Sequence, residues 1–277
     1  MKPFHKLLAQ SLIPLATLLA VCLGASPGGA QPTPISACNP STILFQGSYV
    51  LTQNLLANAG LNCLTLSDSS RNITIDFAGF TIFGTHGDIA GQGNGIGQIS
   101  PVPLEGGYDI VIRNGMIQGF GGAGILLSYF QRVKIENMNV QNNQSGGILV
   151  GTTGIVRDNI VELNGTCPTV STCAGYGIYV GSSSLVTGNI SMGNRGAGIL
   201  AGFGSVIIGN TAGHNSGDGI VTQQDSNILH NGASNNDADG IRVQCPSYLD
   251  DNIAQGNVSK NFEISSGRGC VNRENLF

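Results

Sequence analysis

Four successive stretches decide how this chain folds: GIYVGSSSLVTGNISMGNRGA (177–197), GILAGFGSVIIGNTAGHNSGD (198–218), GIVTQQDSNILHNGASNNDAD (219–239) and GIRVQCPSYLDDNIAQGNVSK (240–260). Set under one another they align without a gap at a period of 21 residues. Each opens on Gly-Ile. Each carries one Asn column through Asn189, Asn210, Asn231 and Asn252, and a second through Asn194, Asn215, Asn236 and Asn257. Short alternating strands (GIYV, SSLVTGN, GSVIIGN) with no helical period between them exclude helical and leucine-rich solenoids and leave a parallel β-helix. Asn tolerates a left-handed backbone, and its amide can bond the same amide one coil on. A column of Asn therefore marks a turn stacked on itself.

Working outward, the Gly-Ile pairs continue to Gly147-Ile148 and Gly124-Ile125, and Asn261-Phe262 follows at the far end. The Asn columns reach back to Asn159 and Asn164. A parallel apolar column runs through Ile135, Val156, Val186, Ile207, Ile228 and Leu249, and a Ser column through Ser184, Ser205, Ser226 and Ser247. The one step of 30 residues is a coil plus nine residues around CPTVSTC, a surface loop that a Cys167–Cys173 bridge would pinch. Earlier coils are looser, with Ile75 and Ile112 on either side of a long stretch at 84–108. The count comes to nine or ten coils of a single-stranded, all-β solenoid over 38–277, with 38–66 as N-terminal cap and 245–277 as the last coils.

The remaining composition bounds the setting. Residues 1–30 (Lys2 and Lys6, an apolar run, then Gly28-Gly29-Ala30) read as a secretory signal peptide, with 31–37 a short linker. Cleavage there leaves ten Lys and Arg against sixteen Asp and Glu, a net charge near −6, which excludes nucleic acid as a partner. Six cysteines remain, an even number for an oxidising compartment. Their order favours the local pairs Cys38–Cys63, Cys167–Cys173 and Cys245–Cys270 among about fifteen pairings. The protein is expected to be secreted, periplasmic or at the cell surface, with no transmembrane span after cleavage.

The 21-residue Gly-Ile and Asn columns resemble those of the right-handed parallel β-helix repeat proteins, the broad pectate-lyase-like group of lyases, polygalacturonases, uronan epimerases and secreted relatives. The likeness covers residues 60 to 275. It implies a right-handed coil and a polysaccharide partner, bound without catalysis or, alternatively, cleaved or epimerised. Copper-delivering periplasmic β-helix proteins share the repeat, but four Met and the histidines His86, His214 and His230 offer little for a copper site.

Alternation along each Gly-Ile strand sends Ile inward and the next residue outward. The outward column is Leu126, Leu149, Tyr179, Leu200 and Val221, an exposed apolar stripe, before it turns charged at Arg242 and Glu263. Such a stripe suits a sugar platform, a self-association face for a homo-oligomer, or a surface under a folded-over loop. The residue before Gly-Ile forms another column, reaching Asp218, Asp239 and Lys260. Two carboxylates one coil apart lie about 5 Å from each other, close enough to share a cation.

Asp218 and Asp239 share the placement of catalytic aspartates in polygalacturonase-type hydrolases. Here, however, Ser216-Gly217-Asp218 replaces that family's Asn-Thr-Asp, and Ser259-Lys260-Asn261 replaces its Gly-His-Gly. By role, the resemblance to Ca²⁺-using β-helix lyases gives Asp218, Asp237 and Asp239 as calcium ligands, with Lys260 or Arg242 as the base. Ordinary turn chemistry also places Asp before Gly, and the binding reading rests on that.

Overall fold

The structure, a computed structural model, describes residues 31–39, 43–67, 69–85, 92–99, 107–166, 175–265 and 268–276. The expected signal peptide, the Cys167–Cys173 bridge, His86 and most of 84–108 lie outside the described residues. No described helix is long and apolar enough to cross a membrane.

The chain is a right-handed parallel β-helix of about nine turns. Each coil has three faces. In one coil these are Leu185–Thr187 (face 1), Ile190–Met192 (face 2) and Ile199–Ala201 (face 3). Faces 1 and 2 belong to one 18-stranded sheet, because in two earlier coils a single long strand, Tyr108–Gln118 or Gln131–Gln141, runs across both. Face 3 is a separate 10-stranded sheet. Every pairing among the described strands is parallel. Ile178, Ile199, Ile220, Ile241 and Phe262 stand in one register, so the alignment of the repeats is also the alignment of the coils.

Each corner stacks a polar ladder. Between faces 1 and 2 the chain turns through a left-handed residue (Asp158, Gly188, Gly209, His230, Asp251) followed by the buried ladder Asn159, Asn189, Asn210, Asn231 and Asn252. Asn189 Nδ2 donates to Asn210 Oδ1 at 2.9 Å, and Asn210 Nδ2 donates to Asn231 Oδ1 at 3.0 Å. Between faces 2 and 3 a second ladder runs through Asn164, Asn194, Asn215, Asn236 and Asn257; Asn143 extends it upstream. The third corner is closed by the Ser column, whose hydroxyls accept the backbone N–H of the preceding Ser. These bonds satisfy turn groups that would otherwise be buried without partners.

The recurring glycine follows from the second ladder. A Cβ on Gly198 would stand 2.6 Å from Asn215 Nδ2 and 2.8 Å from the Gly219 carbonyl. The strand can lie against the ladder amide only where a side chain is missing.

Apolar side chains from all three faces fill the interior, and nearly all are fully buried. Face 2 tapers from Ile117 and Val140 to Ser191, Ala212, Ala233 and Ala254 along the axis. Thr222 sits inward in the column of Ala201 and Val243, with its hydroxyl buried and unpartnered. An orphaned hydroxyl costs about 1 kcal/mol. Thr222→Val is therefore expected to raise stability by about that amount, read as a higher denaturation midpoint; a lower midpoint would show that the hydroxyl has a partner.

Two boundaries differ from the sequence expectation. The rung Thr33–Ile35 pairs with Tyr49–Leu51, so the 31–37 linker already belongs to the solenoid. Within 84–108, Ile96–Gln98 is a regular face-3 rung, in register with Leu64–Leu66 on one side and, through Ile96, with Ile125 on the other. Cys38–Cys63 and Cys245–Cys270 form as expected, each across 25 residues of sequence. In a chain-entropy picture each contributes about 3 kcal/mol by restricting the unfolded chain.

Face 1 carries a charge ladder in register: Asp76, Arg113, Glu136, Arg157. Arg113 Nε donates to Asp76 at 2.9 Å, and Glu136 accepts from Lys134 Nζ at 2.9 Å and from Arg157 Nε at 2.7 Å. Burial pushes both carboxyls up. Hydrogen bonds outweigh it and hold them below the ordinary carboxylate range, from Ala78, Asn114 and Arg113 on Asp76 and from Lys134 and Arg157 on Glu136. A depressed pKa gives stability that is complete above about pH 4 and lost as pH falls through the folded value. The unfolding midpoint should drop below about pH 4, and Glu136→Gln should flatten that drop. An acid limb unchanged in Glu136→Gln would remove this group from the account.

Candidate functional site

Face 3 collects most of the residues singled out by sequence. Leu126, Leu149, Tyr179, Leu200 and Val221 stand directly over one another, one per coil at about 4.8 Å. They are half-buried rather than fully exposed, and Val221 is buried, because each side chain shields its neighbours in the stack. Tyr176 joins the platform, with its ring centroid 6.1 Å from that of Tyr179 and the planes 22° apart. The Gly-Ile alignment shows Tyr176 only as one member of a mixed column. Its position three residues before Tyr179 was the available signal.

Toward the C-terminal end the face turns polar. Asp218, 8% exposed, accepts the Asp239 N–H on Oδ1 at 2.9 Å, and its Oδ2 meets Arg242 Nη2 at 2.7 Å. Asp239 Oδ1 accepts the Lys260 N–H at 3.2 Å. The two carboxylates thus repeat the logic of the Asn ladders, each pinning the backbone of the next coil. Lys260 Nζ is paired with Glu263, and that hydrogen bond raises the ammonium pKa. A proton-abstracting lysine needs the opposite shift. Beside them, Val221, Thr222, Arg242, Val243, Gln244, Glu263 and Ser265 line a recess of about 280 Å³.

The three aspartates read as calcium ligands stand in different settings. Asp237 is exposed on the turn, its N–H given to the Asn215 carbonyl, while Asp218 spends both oxygens on Asp239 and Arg242. Among the described residues no three His, Cys, Asp or Glu side chains converge as metal ligands. His214 and His230 sit at different corners, on either side of face 2, and His230 Nδ1 lies 2.9 Å from Asp251. The four described cysteines are disulfide-bonded, and the Met116 thioether accepts a hydrogen bond from Gln141. These donors do not fit a copper centre, which takes imidazole, thiolate or thioether ligands together.

No curated protein matches the chain. Among solved structures, the A-module of the Azotobacter vinelandii mannuronan C-5 epimerase AlgE4 superposes with a TM-score of 0.66 at 16% identity, covering 83% of this chain and 68% of that one. The AlgE6 A-module from the same organism gives 0.66 at 17%, covering 83% and 67%. The enzymatically active domain of Bacteriophage CBA120 tailspike protein 2 gives 0.52 at 15%, covering 80% and 41%. At such identities the likeness is one of fold. Polysaccharide-acting proteins thus stand among its structural neighbours, and the described disulfides fit an oxidising compartment. A family model, periplasmic copper-binding protein (NosD), matches residues 106–271, more than half of the sequence, and the chain belongs to that family.

Proposed function

We propose that this is an exported β-helix protein that binds a polysaccharide along face 3 without cleaving it. The observation that carries the reading is the state of Asp218. Its carboxylate is buried and committed to the Asp239 backbone and to Arg242, which suits a structural brace rather than a reacting acid. A sugar polymer needs a long, shallow platform with aromatic faces and hydrogen-bonding edges. Leu149, Tyr176, Tyr179 and Leu200 supply the first, and Arg242 and Gln244 the second. One outward position recurs at each coil, close to the length of one sugar ring, so successive rings can meet successive coils.

The test is retention of the mature protein on immobilised polysaccharides, together with a search for unsaturated products and new reducing ends, with and without Ca²⁺. Retention without product is expected. The double variant Tyr176→Ala/Tyr179→Ala should weaken binding about tenfold, the loss of two aromatic contacts. Turnover that Asp239→Ala abolishes would establish a lyase, epimerase or hydrolase instead. Mass that rises with concentration, with no polymer bound, would make face 3 a homo-oligomer interface.

A further inference from the structure

The charges around face 3 bear on which polymer it takes. On the face-3 strands and the turn leading into them, the coils from Ile199 onward carry Asp218, Asp237, Asp239 and Glu263 against Arg195, Arg242 and Lys260. At the polar end of face 3, Asp218, Asp239 and Glu263 lie beside Arg242 and Lys260, with Asp237 exposed on the adjoining turn. Both of these cations are already paired, Arg242 with Asp218 and Lys260 with Glu263. A polyuronate laid along the coils would bring one carboxylate per ring over this surface. Like charges facing each other across an interface oppose binding, and no calcium-bridging triad is assembled among the described residues to offset them.

Arg195 stands on the exposed turn column that leads on to Asp237, and the other basic residues of the earlier coils lie on face 1. Arg71, Arg113, Arg132, Lys134 and Arg157 all stand on face-1 strands of the earlier coils. Arg113, Arg132, Lys134 and Arg157 are each ion-paired there, and Arg71 donates to the Tyr108 hydroxyl. The apolar and aromatic part of the platform, from Leu149 to Val221, presents no charged side chain in its outward column.

We propose that the polymer held on face 3 is an electrically neutral, hydroxyl-rich glycan rather than a polyuronate. This rests on the reading of face 3 as a polysaccharide platform. Hydroxyls can bond the outer edges of Asp239, Gln244 and Glu263 while ring faces lie on Tyr176 and Tyr179, with no net charge to repel.

Affinity electrophoresis of the mature full chain through gels containing xylan, galactomannan or mixed-linkage glucan, against alginate and pectate, tests it. Retardation by at least one neutral polymer is expected, at least about tenfold stronger than by either polyuronate. It should change less than about twofold between low and roughly 0.5 M salt, where exposed charges are screened. Asp237→Lys should improve alginate binding without weakening the neutral one. Stronger retardation by alginate or pectate, fading with salt, overturns the inference and leaves the platform standing. No retardation by any polymer, with the variant Tyr176→Ala/Tyr179→Ala migrating like the parent, overturns the platform and the inference together.

Discussion

Asn215→Ala is expected to destabilise the protein by about 3–5 kcal/mol, the largest effect of any single polar substitution considered. The Asn215 side chain is fully buried. Its Oδ1 accepts from the Asn194 backbone N–H at 3.0 Å and from Asn194 Nδ2 at 3.1 Å, while its Nδ2 donates to the Ser191 carbonyl at 3.1 Å and to Asn236 Oδ1 at 3.0 Å. Truncation strands the Asn194 backbone N–H where no water reaches, an orphan that costs about 1–3 kcal/mol, and it removes the two bonds that Asn215 Nδ2 donates, at about 1 kcal/mol each. Asn194 Nδ2 keeps the Val161 carbonyl and Ser191 Oγ. Asn215→Asp keeps the acceptor but turns a buried carboxylate oxygen toward the Ser191 carbonyl and Asn236 Oδ1, so it should be no more stable than Asn215→Ala. Denaturant unfolding measures the difference, and hydrogen exchange should show the loss centred on the coils around 194–236. A loss below about 1 kcal/mol for Asn215→Ala would mean that the ladder is not what holds the coils.

Gly219→Ala should cost about 3 kcal/mol although it adds one methyl group, because that methyl has nowhere to go. It would lie 2.5 Å from the Gly240 carbonyl and 2.7 Å from Asn236 Nδ2, with Ala233 Cβ at 3.0 Å. Backbone and ladder amide cannot swing aside as a surface side chain would, so the stack itself must open. Gly232→Ala is the control: nothing lies within 4 Å of its added Cβ, and its effect should be within about 0.5 kcal/mol. Equal midpoints for the two variants would defeat the steric account of the Gly-Ile column.

These variants also show why so much of the fold could be read in advance. In a parallel stack each residue meets its own counterpart one coil away, so a contact in space is a fixed step in sequence. Asn194, Asn215 and Asn236 advertise their hydrogen bonds by spacing alone, as do Ile178, Ile199 and Ile220. Where the step is irregular the signal fails. The rung Ile96–Gln98 was hidden within 84–108, and the charge ladder of Asp76, Arg113, Glu136 and Arg157 spans steps of 37, 23 and 21 residues. No single period reports either.

The candidate site was legible as a set of columns and not as chemistry. Asp218 and Asp239 stand where the columns place them. Yet a column says nothing about which way a carboxylate rotates, and rotation decides whether it faces a ligand or the next coil's backbone. The pairings of Arg242 with Asp218 and of Tyr176 with Tyr179 depend on side-chain torsions in the same way. The sequence by itself determined the repeat, the inward and outward faces and the ladders, because all of these follow from translation along one axis. Only the tertiary structure decided which polar groups are spent within the solenoid and which remain for a partner, because hydrogen bonds between neighbouring coils compete with ligand for the same few oxygens and amines.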